Sequence, residues 1–346
     1  MFHDLNVPWP AREGSVTSKK AKKAVQKTDE NTHSNSDTVD PLAVLTESEK
    51  SRLSQLVYEL RELGYSTIAL NHVVYTKYDP QLHPHPFAST RKGPNPPFPK
   101  LDPRTRGGQG VRSRAQGIKQ LSRLTLVLDK DQAIKSGTGF VAANSNALQN
   151  YDLLAVMPLT ESGFQHACIT MSELKPFSVD IISLDLAAAP RLPFHLKRST
   201  VGAALANGVV FEITYGSATD TSSSAMGDQD LSAARRNLFS GAREILRATN
   251  GKGVIISGAV MDVLGLRAPY DVLNMATLMG MTLQSAKDSL TSVCQSLLIR
   301  AQTRQTFRGA VCKPSVKTPC GDDEVSLRNR DQINKKRKRT GDTSSC

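Results

Sequence analysis

The chain has 346 residues, 39% hydrophobic and 22% charged, with a formal net charge of +12. That composition fills a core and excludes wholesale disorder, while no apolar run approaches the ~18 residues needed to span a bilayer. The charge is concentrated: residues 12–40 carry six Lys/Arg against five acids, 76–120 nine against two, and 313–346 nine against five, leaving the remainder neutral on balance.

In chain order, Phe2–Val7 reads as a first strand, and the opening residues show no basic-then-apolar leader, so no secretory signal is expected. Residues 12–40 mix Lys pairs with Asp, Asn, Ser and Thr and show no apolar period. Thr46 and Glu49 form a capping box for a helix over 46–63, with Leu53, Leu56, Val57, Leu60 and Leu63 as its stripe and Gly64 as its left-handed end. Tyr65–Leu70 is the next strand. Residues 76–117 hold eight prolines and a Gly-Gly-Gln-Gly run, so neither helix nor sheet can pass through them. Further strands are predicted at Ser122–Asp129, Tyr151–Met157, Val179–Leu184, Val209–Tyr215 and Val254–Ser257. Helices are predicted over 231–248, with Leu231, Ala234, Leu238, Ala242 and Ile245 inward, and onward from Thr282. The organisation expected is one domain over 1–309, interrupted by irregular basic insertions at 12–40 and 76–117, and a disordered basic tail over 310–346.

About seven strands alternating with helices describe a parallel β/α fold, a pattern shared by a barrel and an open doubly wound sheet. No GxGxxG follows the first strand and no GxxxxGK[ST] occurs, which weakens the nucleotide-binding open sheets. The clustered cations favour a polyanionic partner over a small substrate, the alternative being loops that only keep the protein soluble. Five cysteines (Cys168, Cys294, Cys312, Cys320, Cys346) contain no CxxC pair and read as reduced thiols of an intracellular protein.

Strand ends are where parallel β/α folds place their sites. His72 and Asp185 follow predicted strands. Glu212 lies inside Val209-Val-Phe-Glu-Ile-Thr-Tyr215, where alternation puts Val210, Glu212 and Thr214 on one face. A carboxylate in such company needs a partner, either an Arg or Lys or a metal. His83-Pro-His85 sits in the Pro-rich segment, and Cys312 with Cys320 lacks a second ligand pair, so no metal site and no cofactor is expected. No nucleophile signature such as GxSxG or HExxH occurs, and no catalytic side chain is assigned.

Leu192-Pro-Phe-His-Leu-Lys-Arg198, Gly208-Val-Val-Phe-Glu-Ile-Thr-Tyr215, Gly251-Lys-Gly-Val-Ile-Ile-Ser257 and Leu266-Arg-Ala-Pro-Tyr-Asp-Val272 resemble, in order and spacing, the 30-kDa protein subunit of RNase P and RNase MRP. Gly64–His72, Tyr151–Val156 and a closing helix with Gln302-Thr-Arg304 extend the likeness over nearly all of 1–11, 41–75 and 118–309. The resemblance implies a TIM-like β/α barrel related to the polymerase-and-histidinol-phosphatase metallohydrolases. It also implies a non-catalytic subunit of a ribonucleoprotein that removes the 5′ leader from precursor tRNA. The related hydrolases begin with Asp-x-His-x-His, where this chain has Asp4-Leu-Asn6-Val-Pro8, so Asn6, His72, Asp185 and Glu212 read as a decayed ancestral site. The partners implied are RNase P RNA, RNase MRP RNA, precursor tRNA through the particle, a small ferredoxin-like subunit and other protein subunits, with no membrane.

Lys197, Arg198, Arg267, Arg304 and Arg308 are the candidate phosphate contacts. The basic run Lys335, Lys336, Arg337, Lys338 and Arg339 is a candidate nuclear-import signal, so the nucleus, and the nucleolus within it, is the expected location. Two other classes stand beside this one. The first is a metal-dependent phosphoesterase that retains His72, Asp185 and Glu212. The second is a protein-only assembly factor whose basic loops are incidental.

Overall fold

A computed structural model describes residues 1–10, 42, 45–87, 95–105, 117–131, 137–219 and 228–306. Seven strands, β1 (Phe2–Pro8), β2 (Tyr65–Tyr75), β3 (Lys119–Leu128), β4 (Leu153–Pro158), β5 (Ile181–Leu184), β6 (Val210–Thr214) and β7 (Val254–Ser257), form one parallel sheet in sequence order. The described helices are α1 (Glu47–Glu62), α2 (Ser145–Leu148), α3 (Glu161–Ile169), α4 (Arg198–Ala206), α5 (Gly216–Thr219), α6 (Asp228–Thr249), α7 (Pro269–Met279), α8 (Leu283–Leu290) and α9 (Ser292–Gln305). None is long and apolar enough to cross a membrane.

The sheet curls until its ends meet, which decides between the two architectures in favour of a barrel. At the seam the backbone N–H of Ala259 donates to the Asn6 carbonyl at 2.8 Å, and the Gly258 N–H reaches both Asp4 oxygens at 3.1 and 3.2 Å. A Cβ at 258 would stand 2.7 Å from Asp4 Oδ2, so any other residue there would force the Asp4 carboxylate to shift. Burial and the nearby Glu212 carboxylate raise the Asp4 carboxyl to about 6, against the pull of its two backbone donors.

Period-2 alternation builds the interior in layers. At the N-terminal end lie Leu5, Ala69, Leu121, Leu153, Ile181, Val210 and Ile255, plugged from below by Cys294, Leu297 and Ala301 of α9. Outside the strands, a second apolar shell includes Ile68, Leu70, Leu124, Leu126, Ile182, Phe211 and Ile213, packed against the helices. The stripe of α1 is buried as its periodicity requires, its capping box is formed by Thr46 and Glu49, and Gly64 follows it at φ +94°.

Two expectations need correction, and a third is extended. β2 runs on to Tyr75 instead of ending at Leu70, because a long β3 pairs with it through Tyr75 opposite Val127. The C-terminal helix is two, broken where Thr291 leaves helical geometry at φ −127°, ψ −88°. The segment 76–117 has no regular element in its described parts, yet those parts are packed: Tyr78, Phe87 and Leu101 are buried in the main core, and Asp102 is wholly buried. Arg104 grips Asp102 through Nε and Nη2 at 3.1 and 2.8 Å and donates to the Gln120 carbonyl, while Gln120 N–H donates to Asp102 at 3.0 Å. Burial raises the Asp102 carboxyl, but these donors outweigh it and hold it below its usual value. The 12–40 insertion and the tail after Thr306 lie outside the described residues.

α9 is clamped to the barrel by charge as well as by packing. Asp180, wholly buried, pairs with Arg300 at 2.6 Å and Arg304 at 3.2 Å, and Arg300 also donates to the carbonyls of Ser172, Val179 and Asn207. Arg300→Ala should lower stability by roughly 2–3 kcal/mol, less than for a fully orphaned buried charge because Arg304 still neutralises Asp180. Chemical denaturation of the full chain measures this, and a change below about 0.5 kcal/mol would contradict the clamp.

Candidate nucleic-acid interface

Two positions further along β2, β3, β5, β6 and β7 the interior becomes polar, with Asn71, Arg123, Ser183, Glu212 and Ser257, while β4 places Ala155 there. Asn6 joins them although Leu5 also points inward, because a register shift between Asp4 and Val7 turns the strand there. Arg123 and Glu212, both wholly buried, form a bidentate pair, Nη1 to Oε1 at 2.5 Å and Nη2 to Oε2 at 2.6 Å. The guanidinium also donates to the Leu5 carbonyl at 2.8 Å and to Thr125 Oγ1 at 3.1 Å. Ser257 donates to Glu212 at 2.7 Å, Asn6 Nδ2 reaches it at 3.4 Å, Asn71 donates to Asn6 at 2.8 Å, and Thr125 donates to Asn71 at 2.7 Å. Burial pushes the Glu212 carboxyl up, but Arg123 and the hydroxyl donors overcome it and hold it below the usual range. Of the two partners left open for Glu212, the chain supplies the arginine.

The four residues of the decayed site are not all brought together. Asn6 and Glu212 meet. His72 does not join them, because alternation turns Asn71 inward and sends His72 to the outer face, where its Nδ1 lies 2.9 Å from the Tyr151 hydroxyl. Burial lowers the His72 imidazole to about 4. Asp185 is exposed at the rim, accepting from Ala188 N–H at 3.3 Å. Above the polar layer a cavity of about 830 Å³ opens at the C-terminal mouth, floored by Asn6, Asn71, Arg123 and Ser183 and walled by Pro8, Trp9, Leu53, Leu56, Val73 and Met157. Among the described residues no three His, Cys, Asp or Glu side chains are grouped to hold a metal ion.

A second concavity, about 1190 Å³, runs along the outside between residues 191–198 and α6. Its lining carries Arg191, Lys197, Arg198, Arg235, Arg236, Arg243 and Arg247 against Glu161 and Glu244. All seven cations are exposed. Leu238, Ala242 and Ile245 bury the opposite face of α6, which turns the arginines outward. Lys197, at the N-cap position of α4, lies 3.2 Å from Glu161, and Arg235 donates to the Ala218 carbonyl at 3.0 Å.

The other candidate cations fare differently. Arg267 is half-buried before α7, donating to the carbonyls of Leu264 and Leu266 at 2.9 and 2.7 Å, and it does not line the groove. Arg304 is 3% exposed and committed to Asp180 and the Tyr151 and Asp152 carbonyls, so it belongs to the core and cannot serve as a surface phosphate contact. Arg308 and the run Lys335–Arg339 lie outside the described residues. Sequence reasoning does not single out the arginines of α6, although their spacing opposite the apolar stripe is a signal it could use.

The family model described as RNase P subunit p30 matches residues 1–306. Ribonuclease P protein subunit p30 of Mus musculus is 29% identical over 280 residues, 81% of this chain and 92% of that one. The probable ribonuclease P protein subunit 3 of Schizosaccharomyces pombe is 33% identical, over 74% of this chain and 89% of its own length. The ribonuclease P/MRP protein subunit RPP1 of Saccharomyces cerevisiae is 25% identical, over 94% and 89% respectively.

Proposed function

We propose, because the chain belongs to the RNase P subunit p30 family, that it is a non-catalytic protein subunit of ribonuclease P that binds and stabilises the particle's RNA for removal of the 5′ leader from precursor tRNA. The observation that carries this reading is the family match, which runs through the whole described barrel and not through one motif. The barrel centre is consistent with it: Arg123 supplies the cation that Glu212 requires, from the chain itself. A phosphoesterase built on His72, Asp185 and Glu212 lacks the necessary convergence of side chains, since His72 faces the outer shell. The likeness to the yeast RNase P/MRP subunit supports a second association, with RNase MRP RNA.

Lys197, Arg198 and Arg267 remain the proposed barrel contacts to phosphate, alongside Arg308 beyond the described fold. A small ferredoxin-like subunit and further protein subunits are the proposed protein partners. Nuclear and nucleolar location is proposed on the basic run Lys335–Arg339. The test of the functional reading is to recover the tagged full chain from its own cells and sequence the RNA that comes with it. Enrichment of one or two defined structured RNAs is the expected result. Recovery of the folded chain without any enriched RNA would overturn the reading, and would favour the protein-only assembly factor.

A further inference from the structure

We infer that the groove between residues 191–198 and α6 seats the phosphodiester backbone of helical RNA, an assignment that rests on the functional reading above and specifies the surface through which it acts. Arg236, Arg243 and Arg247 are seven and four residues apart, which places them within about 40° of one another around the helix and spreads them over about 16 Å along it. None of these three, nor Arg191 or Arg198 across the groove, makes a hydrogen bond or ion pair with another described residue. A row of guanidinium groups that outnumbers the carboxylates lining the groove repels itself, and that cost is relieved when a polyanion lies along it. The residues outside the three basic segments are balanced in charge, yet folding sorts them so that this cleft holds seven cations and two carboxylates.

The walls are built to keep this spacing. Across the groove, Phe194 is buried and stacks on Phe164 with centroids 4.9 Å apart and planes 20° from parallel. Leu196 is buried beside it, which fixes the stretch of backbone that presents Arg191, Lys197 and Arg198. Opposite, α6 is anchored by its apolar face, so the guanidinium row has a rigid base.

The chemistry selects backbone over bases. Surfaces that bind single strands without sequence preference offer aromatic faces on which successive bases stack. Here Phe194 is in the core and Phe239 is half-buried against it, which leaves His195 as the one well-exposed ring of the groove, not a row on which successive bases could stack. Charge on a fixed frame without a series of stacking platforms matches a helical RNA, whose phosphates are fixed by its own geometry and which is recognised mostly by shape.

The test uses the full purified chain, a synthetic RNA duplex, a single-stranded RNA of the same length, and salt titrations. Arg236→Ala with Arg243→Ala and Arg247→Ala should lower duplex affinity roughly 10–100-fold. The slope of log affinity against log salt should flatten by about 2–3, since each phosphate that an arginine neutralises adds roughly 0.7–0.9 to it. All three side chains are exposed, so the circular dichroism and melting temperature should not change. A control removing three other exposed cations, Arg52→Ala with Lys252→Ala and Lys287→Ala, should stay within about twofold of the parent. Equal losses in the two variants, or an unchanged slope in the groove variant, would overturn the assignment, as would tighter binding of the single strand than of the duplex. The two levels separate in the tagged recovery experiment. If the parent chain brings down defined RNA but the groove variant binds duplex as the parent does, the groove is wrong and the subunit reading stands. If the parent brings down none, both fall.

Discussion

Arg123→Ala should lower stability by about 3–5 kcal/mol, a large part of the roughly 5–15 kcal/mol that holds a folded domain together. The loss has three sources. Glu212 loses its counter-charge inside the barrel and must either remain an unpaired buried carboxylate or take up a proton, and both cost stability. The Leu5 carbonyl and Thr125 hydroxyl lose the donor they share. The space of a wholly buried guanidinium is left open in the polar layer, one step above the apolar layer that α9 plugs. The pair itself is not the source of that much net stability, because removing two charges from water nearly offsets their attraction. Arg123→Met combined with Glu212→Leu should therefore recover most of the loss by filling the same volume without charge. Denaturant unfolding of the two variants decides it. A cost below about 1 kcal/mol for Arg123→Ala, or a double variant no better than the single, would show that the polar layer is not sustained by this pair.

That pair also marks where sequence reasoning reached its limit. The requirement for a partner at Glu212 was legible from its apolar strand neighbours. Its identity was not, because Arg123 lies 89 residues away and is brought opposite only when the sheet closes on itself. In β3 the residue sits between Ser122 and Leu124 and carries no local sign of burial. His72 fails for a different reason. Strand ends suggest site residues, but side chains alternate, and a difference of one position exchanges the inner for the outer face; Asn71 enters the polar layer in its place. In the described parts of 76–117, as the proline content implies, there is no regular element. That content does not exclude packing, since Tyr78, Phe87 and Leu101 are isolated apolar residues whose burial has no period to reveal it. The basic groove was hidden by averaging: a segment neutral in sum can still segregate its charges in space.

Stability should fall steeply as pH drops from about 6.5 towards 4.5, and be nearly flat above 7. His3, buried inside the barrel's N-terminal end, has no partner on either ring nitrogen among the described residues, and burial, with the N-terminus and Lys119 nearby, lowers it to about 4. Burial, then the neighbouring His83, lowers His72 to about 4. Burial and His72 lower His85 to about 3, its Nδ1 accepting from Phe87 N–H at 2.9 Å while its ring packs on Tyr151. Each of these imidazoles has a folded value below its unfolded value of 6.5, so between the two the unfolded chain binds more protons. Their stabilising contribution is therefore complete above 6.5 and is lost as pH falls towards the folded values. At about 1.36 kcal/mol per unit, each is worth on the order of 3 kcal/mol over the full window. Asp4 acts in the opposite sense. Its folded value of about 6 lies above the usual 3.8, so its contribution is present below 3.8 and is lost as pH rises through 6, offsetting roughly one histidine. His72 and His85 remain uncompensated, and His166, which burial also lowers, adds to them in the same sense. In His72→Gln combined with His85→Phe the outer pair no longer titrates, and the fall in denaturant midpoint between pH 6.5 and 4.5 should shrink to a small fraction of the parent's, even if the variant is less stable at pH 7. A parent midpoint that does not move across that window would show the imidazoles to be protonated or solvated in the folded chain, and an unchanged slope in the double variant would place the titration elsewhere.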